Sequence, residues 1–565
     1  VFPRLLSVRL NPVQLGWVAA FFFATFGNLV LWHSLWHEIE IDGLHALLFA
    51  LSLPVFLLCL LNLLLAPVLV LPYLRKPLLA LLVVISASCQ YFMFEYSVLI
   101  DRSMVQNIFE TSAAEVGAYL SAPLVLAVFV LGVLPAGALL AIPTEAVGRL
   151  RNVALLWLAN LGVTIAVLAA VTLVFYKDYA SLLRNHRQLK DQVLPLNFVR
   201  STHAYLKRQY SAKSQPLRTV AEDATRPAAA GGERHKLVVV VVGETARGQN
   251  FQLNGYARAT NPVLAQRGDV ISFREVSSCG TATAVSLPCM FSRMPRSRYD
   301  DVQAATEENL LDVLQRTGLN ILWRNNNNGG CKGLCSRVPS EDMPALKVPG
   351  YCLNQDGTCY DEVLLDDLGA RIDAMPGDAL IVLHQIGSHG PTYFERYPPE
   401  AGTFRPSCDS NQIQKCSNEA LRNTYDNTLV YTDRMLGRTI DLLERHSAER
   451  DVALIYVSDH GESLGERGMY LHGTPYLLAP REQTQVPMLM WFSPEFLRNA
   501  RLGIACLRRN AEQGAYSHDN LYHSLLGLFA VQTRVYEPEL DLFAACREPG
   551  PASLPQLAGG EGIRP

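Results

Sequence analysis

Residues 452–461 read VALIYVSDHG, and this stretch decides how the chain folds. Its first six residues are mostly apolar with no helical spacing, the pattern of a strand buried in a parallel sheet. The run stops at Ser458, and Asp459 and His460 follow at once. In open α/β sheets the chemistry sits just past the carboxyl ends of the strands, where an acid and an imidazole can share one metal ion. Two other stretches repeat the design. Residues 237–242 form a valine-rich run into Gly243-Glu244-Thr245, and residues 379–383 run into His384, with His389 close behind. Three buried strands releasing metal-type ligands at one end predict a site.

The surrounding pattern is strand, loop and helix in alternation. Residues 320–323 and 487–491 are the remaining strand candidates, and 308–316 and 418–445 have helical spacing. This predicts a doubly wound α/β domain with a mainly parallel sheet, over residues 236–548. A length of 565 residues leaves room for more than one domain. The first third is quite different. Five apolar runs, at 13–32, 44–65, 78–100, 123–142 and 153–175, each have about the 20 residues a helix needs to cross a bilayer. Residues 1–176 are therefore expected to form a five-helix transmembrane domain, with the first run a retained anchor. Pro54 and Pro67 lie in or just after the second run, where they are expected to kink it.

Orientation follows from the loops. Arg4, Arg9, Arg75, Lys76, Arg149 and Arg151 lie on one side, and Glu38, Glu40, Asp42, Asp101, Glu110 and Glu115 on the other. Basic loops stay in the cytoplasm, so five crossings leave the large C-terminal part outside. Cysteine usage agrees. Of the twelve, Cys59 and Cys89 lie in apolar runs and the others between Cys279 and Cys546. Close spacing pairs Cys279 with Cys289, Cys331 with Cys335, Cys352 with Cys359 and Cys408 with Cys416, leaving Cys506 with Cys546. Disulfides in an oxidising compartment are the expectation, since no CxxC…CxxC zinc pattern occurs. Residues 177–235 are polar, with Arg184, Arg187, Lys190, Arg200, Lys207 and Arg208 interleaved with apolar residues. They suit an amphipathic bridge at the lipid headgroups or a solvated linker. Residues 549–565 read as a flexible tail. A net charge of −3 gives no reason to expect nucleic acid.

The nucleophile candidate lies in Ser278-Cys279-Gly280-Thr281-Ala282-Thr283-Ala284. Small residues there let a backbone approach a phosphate closely, and metal coordination can activate Thr283. Alone, a threonine in such a turn is ordinarily structural. Its standing depends on the ligands around it.

These residues match a family. GETAR (243–247), CGTAT (279–283), IGSHGP (386–391), SDHGESLGE (458–466) and YLHG (470–473) resemble the lipid A phosphoethanolamine transferases. That family includes the transferable colistin-resistance enzymes and has the alkaline phosphatase/sulfatase fold. The resemblance implies a zinc ion held by Glu244, Thr283, Asp459 and His460, with a second zinc as an open alternative. It implies that His389 and His472 hold the transferred phosphoryl group or that second zinc, with His384 a further active-site histidine. Glu462 is expected to orient His460 or to support the metal. Lys332 matches a lysine near the substrate phosphate. Asn107, Thr111 and Glu115 fall at i, i+4 and i+8 and match donor-binding residues, although the spacing alone describes an ordinary interfacial helix.

By the same resemblance the donor is phosphatidylethanolamine, the acceptor a lipid A phosphate, and the location the bacterial inner membrane with a periplasmic catalytic domain. A monomer is expected. Zinc-bound Thr283 attacks the donor phosphorus, and the acceptor then takes phosphoethanolamine from the threonine. The added ammonium group weakens binding of polymyxin and other cationic peptides. Alternatives are transfer to another envelope acceptor, such as core sugar or periplasmic glucan, transfer of phosphoglycerol, or hydrolysis. Cys289-Met-Phe-Ser-Arg293 resembles the C-x-P-x-R signature of sulfatases, with Phe291 where that pattern has proline.

Overall fold

The computed structural model describes residues 9–39, 41–111, 116–117, 119–145, 150–213, 215–227, 234–352 and 358–548. Glu115 and the tail at 549–565 lie outside them. The chain divides into two compact units. One holds Val1–Ser211, Asn411–Ser417 and Ser463–Leu478; the other holds Ala212–Ser410, Asn418–Glu462 and Ala479–Pro565.

Among the described residues of the first unit, five helices are long and apolar enough to cross a membrane. They are α1 (Pro12–Glu38), α2 (Leu44–Leu69), α3 (Arg75–Tyr96), α5 (Ala122–Ala141) and α6 (Arg151–Val174). Between α3 and α5 lies a short helix α4, Arg102–Glu110, whose first turn is capped by the Asp101 carboxylate accepting from Met104 N at 2.8 Å. The third apolar run extends to Ile100, but its helix ends at Tyr96 because Ser97 turns left-handed at φ 55°. Val98 and Ile100 are nevertheless buried.

Backbone groups in an apolar unit need internal partners. Helix α1 is interrupted by a 3-10 turn at Phe26–Asn28, and the freed groups are answered by side chains. Gln90 donates to Phe26 O at 3.0 Å and accepts from Leu29 N at 2.7 Å. Asn28 donates to Phe23 O and Leu194 O, and accepts from Leu194 N at 2.8 Å. Asn62, Asn160 and Trp17 link α2, α6 and α1 by hydrogen bonds of 3.0 and 2.8 Å. Polar contacts of this kind join helices where no hydrophobic driving force acts between them. A Cβ on Gly132 of α5 would meet Val84 Cα of α3 at 3.2 Å, so a small residue permits this approach. Helices α7 (Tyr176–Asn185) and α8 (Leu196–Lys213) extend the unit. Asn197 donates to Ile100 O at 2.6 Å, and His186 pairs with Glu38 at 3.1 Å.

The second unit is built on a seven-stranded sheet. Its strands are β1 (His235–Gly243), β2 (Ile271–Phe273), β3 (Asn320–Asn325), β4 (Ser340–Asp342), β5 (Ala379–His384), β6 (Arg450–Ser458) and β7 (Met488–Phe492). Their spatial order is β2-β7-β6-β1-β5-β3-β4. Strands β6, β1, β5, β3 and β4 are parallel, and β7 is antiparallel to both β6 and β2. The expected doubly wound, mainly parallel sheet is present. All six residues from Leu237 to Val242 are fully buried. Each buried valine contributes about 1.5–3 kcal/mol, which explains the unbroken apolar run. Register then places the strand ends side by side. Gly243 lies opposite Ser458, Val242 opposite His384, and His384 opposite Asn325.

Candidate functional site

Glu244, Asp459 and His460 leave adjacent strand ends and are completely buried. Their nearest ligand-type atoms all lie within 4.8 Å of one another. Directly after Glu244 the chain turns left-handed at Thr245, φ 52°. Such a conformation is costly for a β-branched residue and is held by its surroundings. Thr245 N donates to Asp459 Oδ1 at 3.2 Å, and Thr245 O accepts from Tyr425 Oη at 2.6 Å. Tyr425 belongs to helix α10 (Asn418–His446) and also accepts from Arg247 N at 3.0 Å.

Ser458 joins the strand ends. Its hydroxyl donates to His460 O at 3.0 Å and accepts from Ala246 N at 2.9 Å. His460 Nδ1 donates to Gly461 O at 2.9 Å, which turns Nε2 toward the acids. Nε2 lies 3.2 Å from Glu244 Oε1 and 3.4 Å from Asp459 Oδ2. Thr283 is the first residue of helix α9 (Thr283–Met290). Its Oγ1 lies 3.0 Å from both Glu244 oxygens and 3.4 Å from His460 Nε2.

Two buried carboxylates and an imidazole nitrogen converge, an arrangement that could hold a cation. Without a metal, burial and then the Glu244 charge push Asp459 up to about 7. Burial works to lower the His460 pKa, but the Asp459 and Glu244 carboxylates override it and hold it at about 10. Asp459 Oδ2 is buried and accepts no hydrogen bond. A carboxylate pair, an imidazole and a neighbouring hydroxyl suit Zn²⁺, which takes oxygen and nitrogen ligands tetrahedrally.

Around this cluster are residues that carry no motif. Asn327 Nδ2 donates to Glu244 Oε2 at 2.7 Å and to Gln385 O at 3.1 Å. Asp361 accepts from Asn326, from Ile386 N and from Gly387 N at 2.8–2.9 Å. It thereby holds the loop that bears His389, and Ser388 N donates to Glu244 O at 2.9 Å. A Cβ on Gly387, φ +51°, would meet Glu244 O at 2.6 Å. The consecutive residues Asn325, Asn326 and Asn327 thus serve His384, Asp361 and Glu244 respectively. A run of asparagines before two glycines reads as a turn, so only the register of β3 beside β5 could have shown this.

His384 donates from Nδ1 to Asn325 Oδ1 at 3.0 Å, and burial pushes its pKa down to about 4. Lys332 lies close enough for its charge to act in the same direction, and its Nζ sits 3.2 Å from where a Gly329 Cβ would be. His389 is buried, and its carbonyl accepts from Arg396 Nε at 2.9 Å. Glu462 is fully buried and donates through its backbone to Glu482 O at 2.9 Å. His472, Asn107 and Thr111 belong to the first unit. There Gly473, next to His472, lies against Met104 and Asn107. Disulfides join Cys279–Cys289, Cys331–Cys335, Cys352–Cys359 and Cys506–Cys546, and Cys408 and Cys416 are also in disulfide form. The bond to Cys279 occupies Cys289, the cysteine of the sulfatase-like signature.

Comparison with known proteins identifies the family. Residues 236–531 match the Sulfatase family, and residues 57–210 match the family described as Phosphoethanolamine transferase EptA/EptB. The phosphoethanolamine transferase EptA of Escherichia coli K12 is 44% identical over 537 residues, which is 94% of this chain and 97% of that protein. The phosphatidylethanolamine transferase Mcr-1 of Escherichia coli is 38% identical, over 81% of this chain and 84% of its own. The solved integral membrane protein lipooligosaccharide phosphoethanolamine transferase A of Neisseria meningitidis superposes with a TM-score of 0.91. It is 37% identical and covers 96% of this chain and 100% of its own.

Proposed function

The chain belongs to the phosphoethanolamine transferases of the alkaline phosphatase/sulfatase superfamily, and we propose that it transfers phosphoethanolamine from phosphatidylethanolamine to a phosphate of lipid A. The observation that carries this reading is the Thr283 hydroxyl, held 3.0 Å from Glu244 beside Asp459 and His460. The names of Mcr-1 and of the meningococcal enzyme supply the donor and the class of acceptor.

Thr283 Oγ1 attacks the donor phosphorus, and the phosphorus–oxygen bond to diacylglycerol breaks. Glu244 draws the hydroxyl proton, and diacylglycerol leaves as the alcohol. An oxygen of the acceptor phosphate then attacks the phosphorus on Thr283, the bond from Thr283 Oγ1 to phosphorus breaks, and the proton released by the acceptor phosphate returns to the threonine oxygen. Glu244, Asp459 and His460 would hold a zinc ion, which when bound would supply Lewis acidity that eases loss of the Thr283 proton and offsets phosphoryl charge. Lys332 and His389 serve the phosphate from the surrounding loops, and His384 from the end of β5. Among the donor-binding candidates, Asn107 and Thr111 hold the ethanolamine end.

Basic cytoplasmic loops and the disulfides of the second unit support its placement in the periplasm. Mass spectrometry of lipid A from cells expressing wild type or Thr283→Ala tests the reading. Lipid A should gain one phosphoethanolamine with wild type and none with the variant. Modification confined to core sugar or periplasmic glucan would contradict the acceptor, and free phosphoethanolamine without transfer would indicate a hydrolase.

A further inference from the structure

His518 lies outside every motif that marks the site, yet its ring touches both halves of it. Cys279 N donates to Nδ1 at 3.0 Å, and Nε2 lies 2.9 Å from Ser458 O. A backbone N–H only donates and a carbonyl only accepts, so Nδ1 bears the lone pair and Nε2 the proton. These partners therefore dictate one neutral tautomer. The ring is buried, at 2% exposure, and burial holds its pKa down to about 4, so it stays neutral at pH 7. Its own backbone N donates to Ser277 O at 3.0 Å, just before the nucleophile turn.

The two partners are not arbitrary pieces of core. Cys279 opens the turn that delivers Thr283 to the start of α9. Ser458 is the last residue of β6, directly before Asp459 and His460. Through its hydroxyl Ser458 also engages His460 O and Ala246 N, two residues beyond Glu244. A buried histidine with both nitrogens satisfied is ordinarily a packing residue. Here both partners are rigid backbone groups, one on the segment carrying the nucleophile and one on the strand end carrying metal-type ligands.

We propose that His518 is a positioning residue for phosphoryl transfer, whose ring sets the spacing between the Thr283 hydroxyl and the Glu244–Asp459–His460 cluster. The proposal rests on Thr283 as the nucleophile. It gives the ring no part in binding the donor or in carrying the metal.

The test uses the full-length enzyme and three variants. His518→Asn can keep the acceptor for Cys279, His518→Gln can keep the donor to Ser458, and His518→Ala keeps neither. The measurements are kcat, donor KM, zinc content, melting temperature and the burst of diacylglycerol that counts competent sites. A misplacement of about 1 Å costs on the order of 10²-fold, so kcat per competent site should fall roughly 10–100-fold in the Asn and Gln variants. Donor KM should stay within about twofold, since ground-state binding is untouched, and zinc content should match wild type. Normal kcat per competent site in the Asn and Gln variants would overturn the proposal, even with a lowered melting temperature. Loss of zinc would overturn it too, by showing a role in assembling the metal cluster. If Thr283→Ala is fully active, the nucleophile reading fails first. If Thr283→Ala is inactive while the His518 variants turn over normally, only the positioning role fails.

Discussion

Thr283 Oγ1 lies 3.0 Å from each carboxylate oxygen of Glu244, although the residues are 39 apart in sequence and come from different elements. This two-sided contact aims the hydroxyl into the Glu–Asp–His cluster. It also separates Thr283 from Thr281, which shares the same small-residue turn. Thr283→Ala should lower transfer by on the order of 10⁴-fold, because a covalent route loses its nucleophile outright. Intact-mass analysis of wild type incubated with donor should show one phosphoethanolamine, and peptide mapping should place it on Thr283. An adduct on Thr281 would contradict the assignment.

Removing the metal should abolish transfer and lower the melting temperature. Without the metal the two buried carboxylates are offset only by the His460 imidazolium, and a ligand that binds only the folded state stabilises it by about 2.7 kcal/mol at 100 times its dissociation constant. Asp459→Ala and His460→Ala should each reduce zinc occupancy by elemental analysis as well as rate. Full activity in protein shown to be metal-free would refute the metal-centre reading.

Asn327 donates at 2.7 Å to the Glu244 oxygen Oε2 and has no motif to advertise it. Groups that orient a metal ligand typically matter by about 10–100-fold in affinity or activity. Asn327→Leu should therefore weaken zinc binding or transfer to that extent, while Asn328→Leu, one residue further along the loop, should do neither. Zinc titration of the two variants side by side decides it.

The strand ends were readable because two properties coincided there. A strand covered on both faces must be apolar throughout, so β1, β5 and β6 stand out, and their last residues are chemically distinctive. The edge strands β2 and β4 have three residues each, too few to show any period. His518 and Asn327 were hidden for another reason. Their role depends on which backbone or carboxylate lies opposite, and nothing local encodes that. Nor does any composition signal show that Asn411–Ser417 and Ser463–Leu478 group with the apolar first third. The third apolar run misled at its end because hydropathy reports burial, and Val98 and Ile100 are buried apolar side chains that do not continue the helix.

Acid should destabilise the second unit through its neutral histidines. His384 and His518 are both held at about 4, with burial the largest cause, against an ordinary value of 6.5. Between those values the unfolded chain binds a proton at each histidine that the folded chain refuses. Their stabilising contribution is therefore present above pH 6.5 and is lost as pH falls toward 4. The slope is at most about 1.4 kcal/mol per pH unit for each histidine. In zinc-saturated enzyme, the melting temperature of His518→Gln should fall less steeply than that of wild type between pH 6.5 and 5. Parallel profiles would show that His518 already titrates normally in the folded protein.

The last prediction concerns Asn107 and Gly473, both in the first unit. Asn107 lies on α4, and Thr111 donates through Oγ1 to its carbonyl at 2.5 Å. A Cβ on Gly473 would come 3.5 Å from Asn107 Nδ2 and 3.2 Å from Met104 Cε, with the backbone at φ +86°. The segment that carries His472 therefore lies directly against the helix proposed to hold the donor headgroup. If Asn107 binds that headgroup, Asn107→Ala should raise donor KM about 10-fold, the scale of one hydrogen bond to a charged group, with zinc content and kcat little changed. Gly473→Ala adds a side chain at a left-handed position, a strain of about 1–3 kcal/mol, and crowds Met104 Cε on the same helix, beside the Asn107 amide. It should reproduce the KM defect with Asn107 still in place. The two substitutions act on one contact, so the double variant should be little worse than either alone. Additive losses would mean that the two residues act separately. Unchanged donor KM in both single variants would leave α4 as an ordinary interfacial helix.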